Sequence, residues 1–213
     1  MLILEFKYFI KIFIIFLSIY ALLFLLKNKR ENKLCVIVLF IACANELISS
    51  YLFACKLPVT FNTNIYVILN NLLWFLILYN TIFLKKLTSV ITIGYLIFAI
   101  INIVFVTGHQ VFNDYTFVFG SFLYLILIIV FLSHKFKKES IQEVKTNQFL
   151  LIAIPIPFFL GFSFLLGFNN KELLYYKLLD KISLYHIISN FSNSIYYLLF
   201  AYYIYHERKL KNA

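Results

Sequence analysis

The chain has 213 residues, of which 63% are apolar and only 13% carry a charge, and its mean hydropathy is +0.91. A soluble domain has about a quarter of its residues charged and about half apolar, and a water-soluble fold of this length has too little interior for so much apolar surface. Composition therefore excludes a soluble globular protein and predicts an integral membrane protein, in which the net charge of +10 indicates contact with anionic lipid head groups rather than nucleic acid.

Seven apolar segments are long enough to cross a bilayer as α-helices, which takes about 20 mostly apolar residues. They cover 8–27, 34–55, 65–84, 87–107, 116–133, 148–168 and 183–205. The connections are short, so the fold class is predicted to be an all-α polytopic bundle that forms one membrane domain over 1–213. The half-apolar stretch 169–182 is predicted to be a short interfacial helix, because its tyrosines and leucines alternate with lysines.

The distribution of basic residues predicts the orientation of the helices. Thirteen of the 19 Lys and Arg residues fall on one side, which we call the basic end: Lys27, Lys29, Arg30, Lys33, Lys85, Lys86, Lys135, Lys137, Lys138, Lys145, Arg208, Lys209 and Lys211. Basic residues accumulate on the cytoplasmic side, so the C-terminus is predicted inside and the N-terminus outside. Without a small-residue cleavage site, the first segment is predicted to be a retained span of a multi-pass inner (cytoplasmic) membrane protein.

The spacing of cysteine and histidine predicts no disulfide framework, metal site or cofactor. Cys35, Cys43 and Cys55 lack the paired spacing of metal or redox motifs and are expected to be small apolar residues. Of the four histidines only His186 falls inside a predicted span, whereas a zinc site needs several ligands at one depth. There is also no glycine-rich loop of the kind that binds phosphate.

Glu46 is the ionisable residue that lies most clearly within a predicted span. Such a group at the centre of an inserting helix costs on the order of 2.5–3.5 kcal/mol and therefore marks a candidate functional position. Asn45 is adjacent, and Ser49 shares its helical face. Two interpretations stay open: a carboxylate that titrates or coordinates a cation in a cavity, or a hydrogen-bonded side chain that locks helix packing. The absence of a visible basic partner favours the second.

Polar residues also follow one face of the last predicted span. They recur at intervals of four, three and four residues, which keeps them within about 60° on a helix: His186, Asn190, Asn193 and Tyr197. In lipid such a face must contact protein or water, so it lines either a cavity or a hydrogen-bonded seam between helices. Asn70 and Asn71 in the third span need partners too, and Glu46 or the last span are the candidates.

Proline and glycine mark the sixth span as irregular. Pro155 and Pro157 remove two backbone donors and are predicted to kink or unwind the helix. A broken helix can expose carbonyl groups for ion coordination, although a simple kink is the commoner outcome. Gly161 and Gly167 are predicted to allow close approach of a neighbouring helix.

Two membrane chemistries are excluded by missing residues. A retinal protein needs a lysine in the middle of its last span, and 183–205 contains none. Gly161, Phe162 and Ser163 match part of the serine motif of rhomboid-type proteases, but Phe164 replaces the second glycine. The histidine and asparagine that such a protease needs on an earlier span are also absent.

Three segments carry a resemblance to a known group of proteins. They are ANELISSYL in the second span, NIYVILNNLLWFLILY entering the third, and ISNFSNSIYYLLFAYYI in the last. The chain resembles small, mostly uncharacterised seven-span membrane proteins of Bacteroidota over most of its length. The resemblance implies an accessory or sensor component that acts through a separate partner, and it supplies no catalytic residues.

Three functions are compatible with these patterns. The leading hypothesis is a non-enzymatic, receptor-like or regulatory component whose basic cytoplasmic face docks a protein partner or anionic lipid through Lys27, Lys29, Arg30, Lys33, Lys135, Lys137 and Lys138. The alternative is a small transporter, or a channel built by homo-oligomerisation, that uses Glu46 and the polar last helix. A lipid-modifying enzyme is third, and it requires Glu46 and His186 to meet as an acid and base pair.

Overall fold

The computed structural model of this chain describes residues 2–26, 29–82, 84–108, 110–137, 146–167, 176–178 and 182–212, which are almost entirely helical. The helices are α1 (Leu2–Leu25), α2 (Arg30–Ala54), α3 (Thr60–Thr81), α4 (Lys85–Ile101, extended by a π-helical turn at Asn102–Val106), α5 (Asp114–Lys137), α6 (Thr146–Ala153), α7 (Ile156–Gly167) and α8 (Leu184–Asn212). Each of the seven predicted spans corresponds to one helix or, for the sixth, to the pair α6 and α7.

Five of these helical segments are long and apolar enough to cross a bilayer. They are Arg30–Ala54, Thr60–Thr81, Lys85–Val106, Asp114–Lys137 and Thr146–Gly167, and Phe9–Leu25 is a shorter apolar helix. Large apolar side chains cover the outer surface, with Phe53 and Phe105 each 79% exposed. A surface of this kind is stable against hydrocarbon rather than water. The chain is therefore a multi-pass membrane protein, as its composition predicted.

Helices that are consecutive in sequence pack side by side. Helix α1 packs on α2, α2 on α3, α3 on α4, and α4 on α5. The series continues from α5 to α7 and from α7 to α8, and α8 packs back on α1. The third helix also contacts α5 and α6 and therefore lies towards the centre. Its Trp74 is fully buried, and the indole Nε1 donates a 3.3 Å hydrogen bond to the Tyr196 hydroxyl of α8. An aromatic core thus joins the third helix to the last.

The predicted irregularity of the sixth span is confirmed. Helix α6 ends at Ala153, and α7 begins at Ile156, so the break surrounds Pro155. The Tyr124 hydroxyl of α5 donates a 3.0 Å hydrogen bond to the Ile152 carbonyl next to the break. A carbonyl group at the break is thereby satisfied by protein, which supports a structural kink rather than an ion site.

The two glycines of the sixth span behave differently. A Cβ atom built on Gly161 would lie 1.8 Å from the Ser192 Oγ of α8, so this glycine permits the close packing of α7 on α8. A Cβ on Gly167 would meet no other described residue within 4 Å. The prediction of close helix approach is confirmed at Gly161, and at Gly167 the described residues give it no support.

The predicted interfacial helix over 169–182 is wrong for the residues that the structure describes there. Lys177–Leu178 forms strand β1 and pairs antiparallel with β2, Ile182–Ser183, directly before α8. In so short a stretch, the alternation of lysines with leucines is compatible with a helix and with a strand, because either structure can place the polar and the apolar side chains on opposite sides. Residues 169–175 and 179–181 of the prediction lie outside the described residues.

Candidate functional site

Glu46 has a cationic partner, which corrects the expectation of an unpaired carboxylate. The Lys11 Nζ of α1 lies 3.7 Å from the Glu46 Oε2 of α2, and it also donates a 2.5 Å hydrogen bond to the Ser50 Oγ. The two charged side chains are 25% and 38% exposed, so the pair sits at the α1–α2 seam rather than in a closed interior. Charge pairing offsets the cost of placing either group at membrane depth.

Asn45 and Ser49 do not bond to Glu46. Their shared partner is Asn62 of α3, whose Nδ2 donates to the Asn45 Oδ1 at 2.9 Å and to the Ser49 Oγ at 3.0 Å. These bonds fasten the last third of α2 to the start of α3. The polar face of the second span is therefore divided between two seams, one towards α1 and one towards α3.

Asn71 faces α4 and α5, not Glu46 or the last helix as expected. Its Nδ2 donates a 3.0 Å hydrogen bond to the Tyr95 hydroxyl, and a Cβ on Gly120 of α5 would lie 2.8 Å from that Nδ2. Both Asn70 and Asn71 are buried, and the side-chain oxygen of each lacks a hydrogen-bond partner within the described part of the chain. The asparagine pair is thus an interior packing feature of α3.

The polar face predicted on the last span is only partly buried. His186 is exposed in the first turn of α8, where its Nδ1 lies 2.6 Å from the Ser183 Oγ, so it does not belong to a buried polar face. Asn190 and Asn193 are half-buried, and Tyr197 is buried. The buried stripe of α8 meets the predicted face at Tyr197, and it comprises Ser189, Ser192, Tyr196, Tyr197, Phe200, Tyr203, Ile204 and Glu207.

The predicted polar residues do not gather around one cavity. A small cavity of about 20 Å³ lies beside Lys11 and Glu46. A groove of about 640 Å³ is lined by α5, α7 and α8, and none of the predicted polar residues lines it. Glu46 and His186 bond to partners on different elements, so the structure does not form the acid and base pair that a lipid-modifying enzyme would need. In the described ranges, no three His, Cys, Asp or Glu side chains are placed to hold a metal ion.

A buried carboxylate at the basic end is the site that sequence reasoning missed. Glu207 of α8 is 7% exposed, and it accepts hydrogen bonds from the Nδ2 of Asn32 at 3.1 Å and from the Nδ2 of Asn147. The Tyr203 hydroxyl, one turn earlier on α8, donates to the Asn32 Oδ1. We call Asn32, Asn147, Tyr203 and Glu207 the Glu207 junction. It joins the first turns of α2 and α6 to the last part of α8.

Helix ends explain why a carboxylate is tolerated there. The positive ends of the α2 and α6 dipoles point towards the basic end, and a negative charge near a helix N-terminus is stabilised by about 0.3–1 kcal/mol. Amide donors on both helices then satisfy both carboxylate oxygens, as a buried charge requires. The prediction ended the last span at residue 205, two residues too early to include Glu207.

The predicted docking residues surround this junction. Lys29, Arg30 and Lys33 are exposed at the start of α2, and Lys137 is exposed at the end of α5, where Lys135 is half-buried. Lys27 and Lys138 lie outside the described residues. Arg208 follows Glu207 and fastens α8 to α1, because its guanidinium lies 4.6 Å from the centre of the Phe24 ring and donates to the Tyr20 hydroxyl at 3.4 Å. No protein-family model, curated protein or solved structure matches this chain, so the resemblance to Bacteroidota proteins stays a prediction.

Proposed function

We propose that this chain is a non-enzymatic, receptor-like or regulatory component of the cytoplasmic membrane that acts through a protein partner at its basic end. In this proposal all seven predicted spans cross the bilayer, with the N-terminus outside and the C-terminus inside. The observation that carries it is the Glu207 junction, where one buried carboxylate holds three helices together beneath exposed basic residues. A change in the position of α8 would therefore alter the surface that a partner contacts.

Helix α8 is suited to relay such a change. It runs without a break from Leu184 to Asn212, and it contributes both to the groove, through Ser192, and to the junction, through Glu207. Those two residues are 15 positions apart, which is about 22 Å along a helix. Packed helices shift between discrete arrangements rather than bending continuously. A ligand that alters the packing of α7 on α8 would thus be detected at the basic end.

Site-specific photo-crosslinking in native membranes tests the partner. A photoreactive residue at Lys33 is expected to give a discrete protein adduct, whereas one at Lys56, exposed at the opposite end of α2, gives none. Reversing Lys29, Arg30 and Lys33 to Glu should abolish a second adduct formed from Lys137. If the Lys33 probe reacts only with lipid, or if charge reversal leaves the adducts unchanged, the basic end binds head groups and the proposed function is wrong.

The Lys11–Glu46 pair supports a second candidate function. An ion pair at membrane depth is a typical element of proton and cation pathways, and a transporter or oligomeric channel would use Glu46 as its titrating group. Flux of protons or monovalent cations into liposomes that contain the protein tests this candidate. Flux that is lost in Glu46→Gln would favour transport, and flux that persists unchanged in that variant would exclude the carboxylate mechanism.

A further inference from the structure

An open groove lies between α5, α7 and α8. It has a volume of about 640 Å³, and its walls include Val118 and Phe122 of α5, Leu160 and Ser163 of α7, and Ile188 and Ser192 of α8. Its lining is mainly apolar. The close contact between Gly161 and Ser192 brings α7 and α8 together at its floor, so the groove depends on the absence of a side chain at Gly161.

A polar group in this groove has no protein partner. The Ser163 Oγ is buried, and within the described ranges it makes no hydrogen bond. A serine in a helix often returns its hydroxyl to the carbonyl four residues earlier, as Ser121 and Ser194 do here. An unsatisfied hydroxyl in an apolar site costs about 1–3 kcal/mol. A rotation of the Ser163 side chain towards the groove would let a ligand atom accept a hydrogen bond from the Oγ and remove this cost.

The groove is continuous with the lipid-facing surface. Phe122 and Phe191 at its rim are 61% and 66% exposed, and Leu160 is 51% exposed. Phe122 and Leu160 lie on helical segments that are long and apolar enough to cross the membrane, and Phe191 lines the same groove from α8, so hydrocarbon chains of the bilayer reach the groove directly. Water-soluble ligands would first have to enter hydrocarbon.

The depth of the groove fits the upper part of an acyl chain. Ser163 is four residues before the end of α7, or about 6 Å along the helix, and Ser192 is eight residues into α8, or about 12 Å. The hydrocarbon core is about 30 Å thick. Taking the end of α7 and the start of α8 as the edge of the hydrocarbon core places the groove in the half of the bilayer opposite the basic end.

We infer that this groove binds one acyl chain of a membrane lipid, with the chain against α5, α7 and α8 and the ester carbonyl accepting a hydrogen bond from Ser163. The chain supplies the apolar contact, and the carbonyl satisfies the buried hydroxyl. The effect of the bound lipid on a partner is the one part of this inference that rests on the proposed function. An occupied groove would fix the position of α8 and therefore of the Glu207 junction, which the proposed partner contacts. Binding itself does not require a partner.

Photolabelling of the full chain in lipid nanodiscs tests the site. The probe is an ester-linked phosphatidylcholine that carries a diazirine on one acyl chain, and adducts are located by peptide mass spectrometry. Adducts are expected to concentrate on the groove segments of α5, α7 and α8. Val118→Trp should fill the groove and reduce this labelling at least fivefold, whereas Val90→Trp, a 67% exposed position on α4, should leave it unchanged. Circular dichroism and gel filtration verify that both variants are folded.

An ether-linked lipid separates the polar contact from the apolar one. In the wild type, an ester lipid should compete with the probe about fivefold better than its ether analogue, the factor for a hydrogen bond of about 1 kcal/mol. In Ser163→Ala the two lipids should compete equally. Equal competition in the wild type overturns the carbonyl contact. Labelling spread over all helices in proportion to their exposed apolar surface, or unaffected by Val118→Trp, overturns the site.

The same preparations distinguish this inference from the proposed function. Concentrated groove labelling together with no crosslink from Lys33 would uphold the lipid site and contradict the partner. A crosslink from Lys33 together with uniform lipid labelling would do the reverse. If both are observed, Val118→Trp should also weaken the crosslink from Lys33, because the groove and the junction share α8.

Discussion

The side-chain amide of Asn32 lies 3.1 Å from the carboxylate of Glu207, and this contact joins the start of the second helix to the end of the last. The two residues are 175 positions apart in sequence. Asn147, at the start of α6, donates to the other oxygen of the same carboxylate. One acidic side chain therefore fixes the relative positions of three helices at the end where the basic residues are exposed.

Removal of the Glu207 carboxylate should destabilise the bundle. Glu207→Ala leaves two buried amide donors without an acceptor, and each unsatisfied group costs about 1–3 kcal/mol. We expect the free energy of unfolding in detergent to fall by about 2–4 kcal/mol. Glu207→Gln keeps one acceptor and should cost about half as much.

The matched control for that variant is Glu31→Ala, which removes an acidic side chain from the first turn of α2 at the same end of the bundle. Glu31 is half-buried, and its loss should cost only the helix-dipole contribution of about 0.3–1 kcal/mol. Equal losses for Glu31→Ala and Glu207→Ala would show that the junction has no special role in stability.

Gly161→Ala should destabilise the contact between α7 and α8. The new Cβ would lie 1.8 Å from the Ser192 Oγ, and overpacking of this kind typically costs about 1–3 kcal/mol. The cost should shrink in a Ser192→Gly background, where the clashing side chain is gone. Gly94→Ala is the control, since a Cβ there meets nothing within 4 Å, and it should be neutral or stabilising by about 0.5–1 kcal/mol. Thermal unfolding in detergent is measured for the wild type, Gly161→Ala, Ser192→Gly, their double variant and Gly94→Ala. Equal effects of the two Gly→Ala variants would contradict the packing at Gly161.

The Lys11–Glu46 pair should appear as a coupling in a double-mutant cycle. Lys11→Met and Glu46→Gln each remove one charge and leave the other at membrane depth, whereas the double variant leaves neither. We expect a coupling free energy of about 1 kcal/mol, within the range for residues in contact. The pair of Lys56→Met and Glu46→Gln is the control, because Lys56 is ten residues further along the chain, about 15 Å on a helix, and the two effects should add. An additive result for Lys11 as well would rule out a functional ion pair.

The chain has a single tryptophan, which makes the aromatic core directly observable. Trp74 is fully buried, so its fluorescence emission should be blue-shifted and poorly quenched by acrylamide in the folded protein. Tyr196→Phe removes the acceptor of the indole hydrogen bond and should cost about 1 kcal/mol, with emission still blue-shifted. Tyr205→Phe, at an exposed position on the same helix, should have no effect. Strong quenching in the wild type would mean that the core is open to solvent.

Much of the fold follows from local sequence, because lipid allows only helices or closed barrels to cross it. Apolar segments near 20 residues predicted the helices with ends that differ from the observed ones by one to seven residues, and Pro155 predicted the break in the sixth span. Pairing between helices is not local. Lys11 and Glu46 are 35 positions apart, and a single sequence does not indicate that α1 presents its lysine to α2 at that depth.

The candidate site was less predictable for a related reason. The last helix was expected to present His186, Asn190, Asn193 and Tyr197 inwards, but only Tyr197 of these is buried, and the buried stripe extends to Glu207. The 3.6-residue period of a helix determines which residues share a face. It does not determine which face is buried against the other helices. The polar residues at the start of α2 and α6 gave no signal either, since Asn32 and Asn147 are ordinary helix-start residues until the fold brings them to Glu207.

Thiol labelling in intact cells tests the proposed orientation most directly. Cys55 is exposed just after α2, at the end opposite the basic residues, whereas Cys35 is buried. A membrane-impermeant maleimide should modify Cys55 in intact cells, and Cys55→Ser should abolish that modification. In the Cys55→Ser background, Leu210→Cys places a thiol at a 59% exposed position at the basic end, and it should react only after permeabilisation. Modification of both thiols in intact cells, or of neither until the membrane is opened, would contradict a bundle whose basic end faces the cytoplasm.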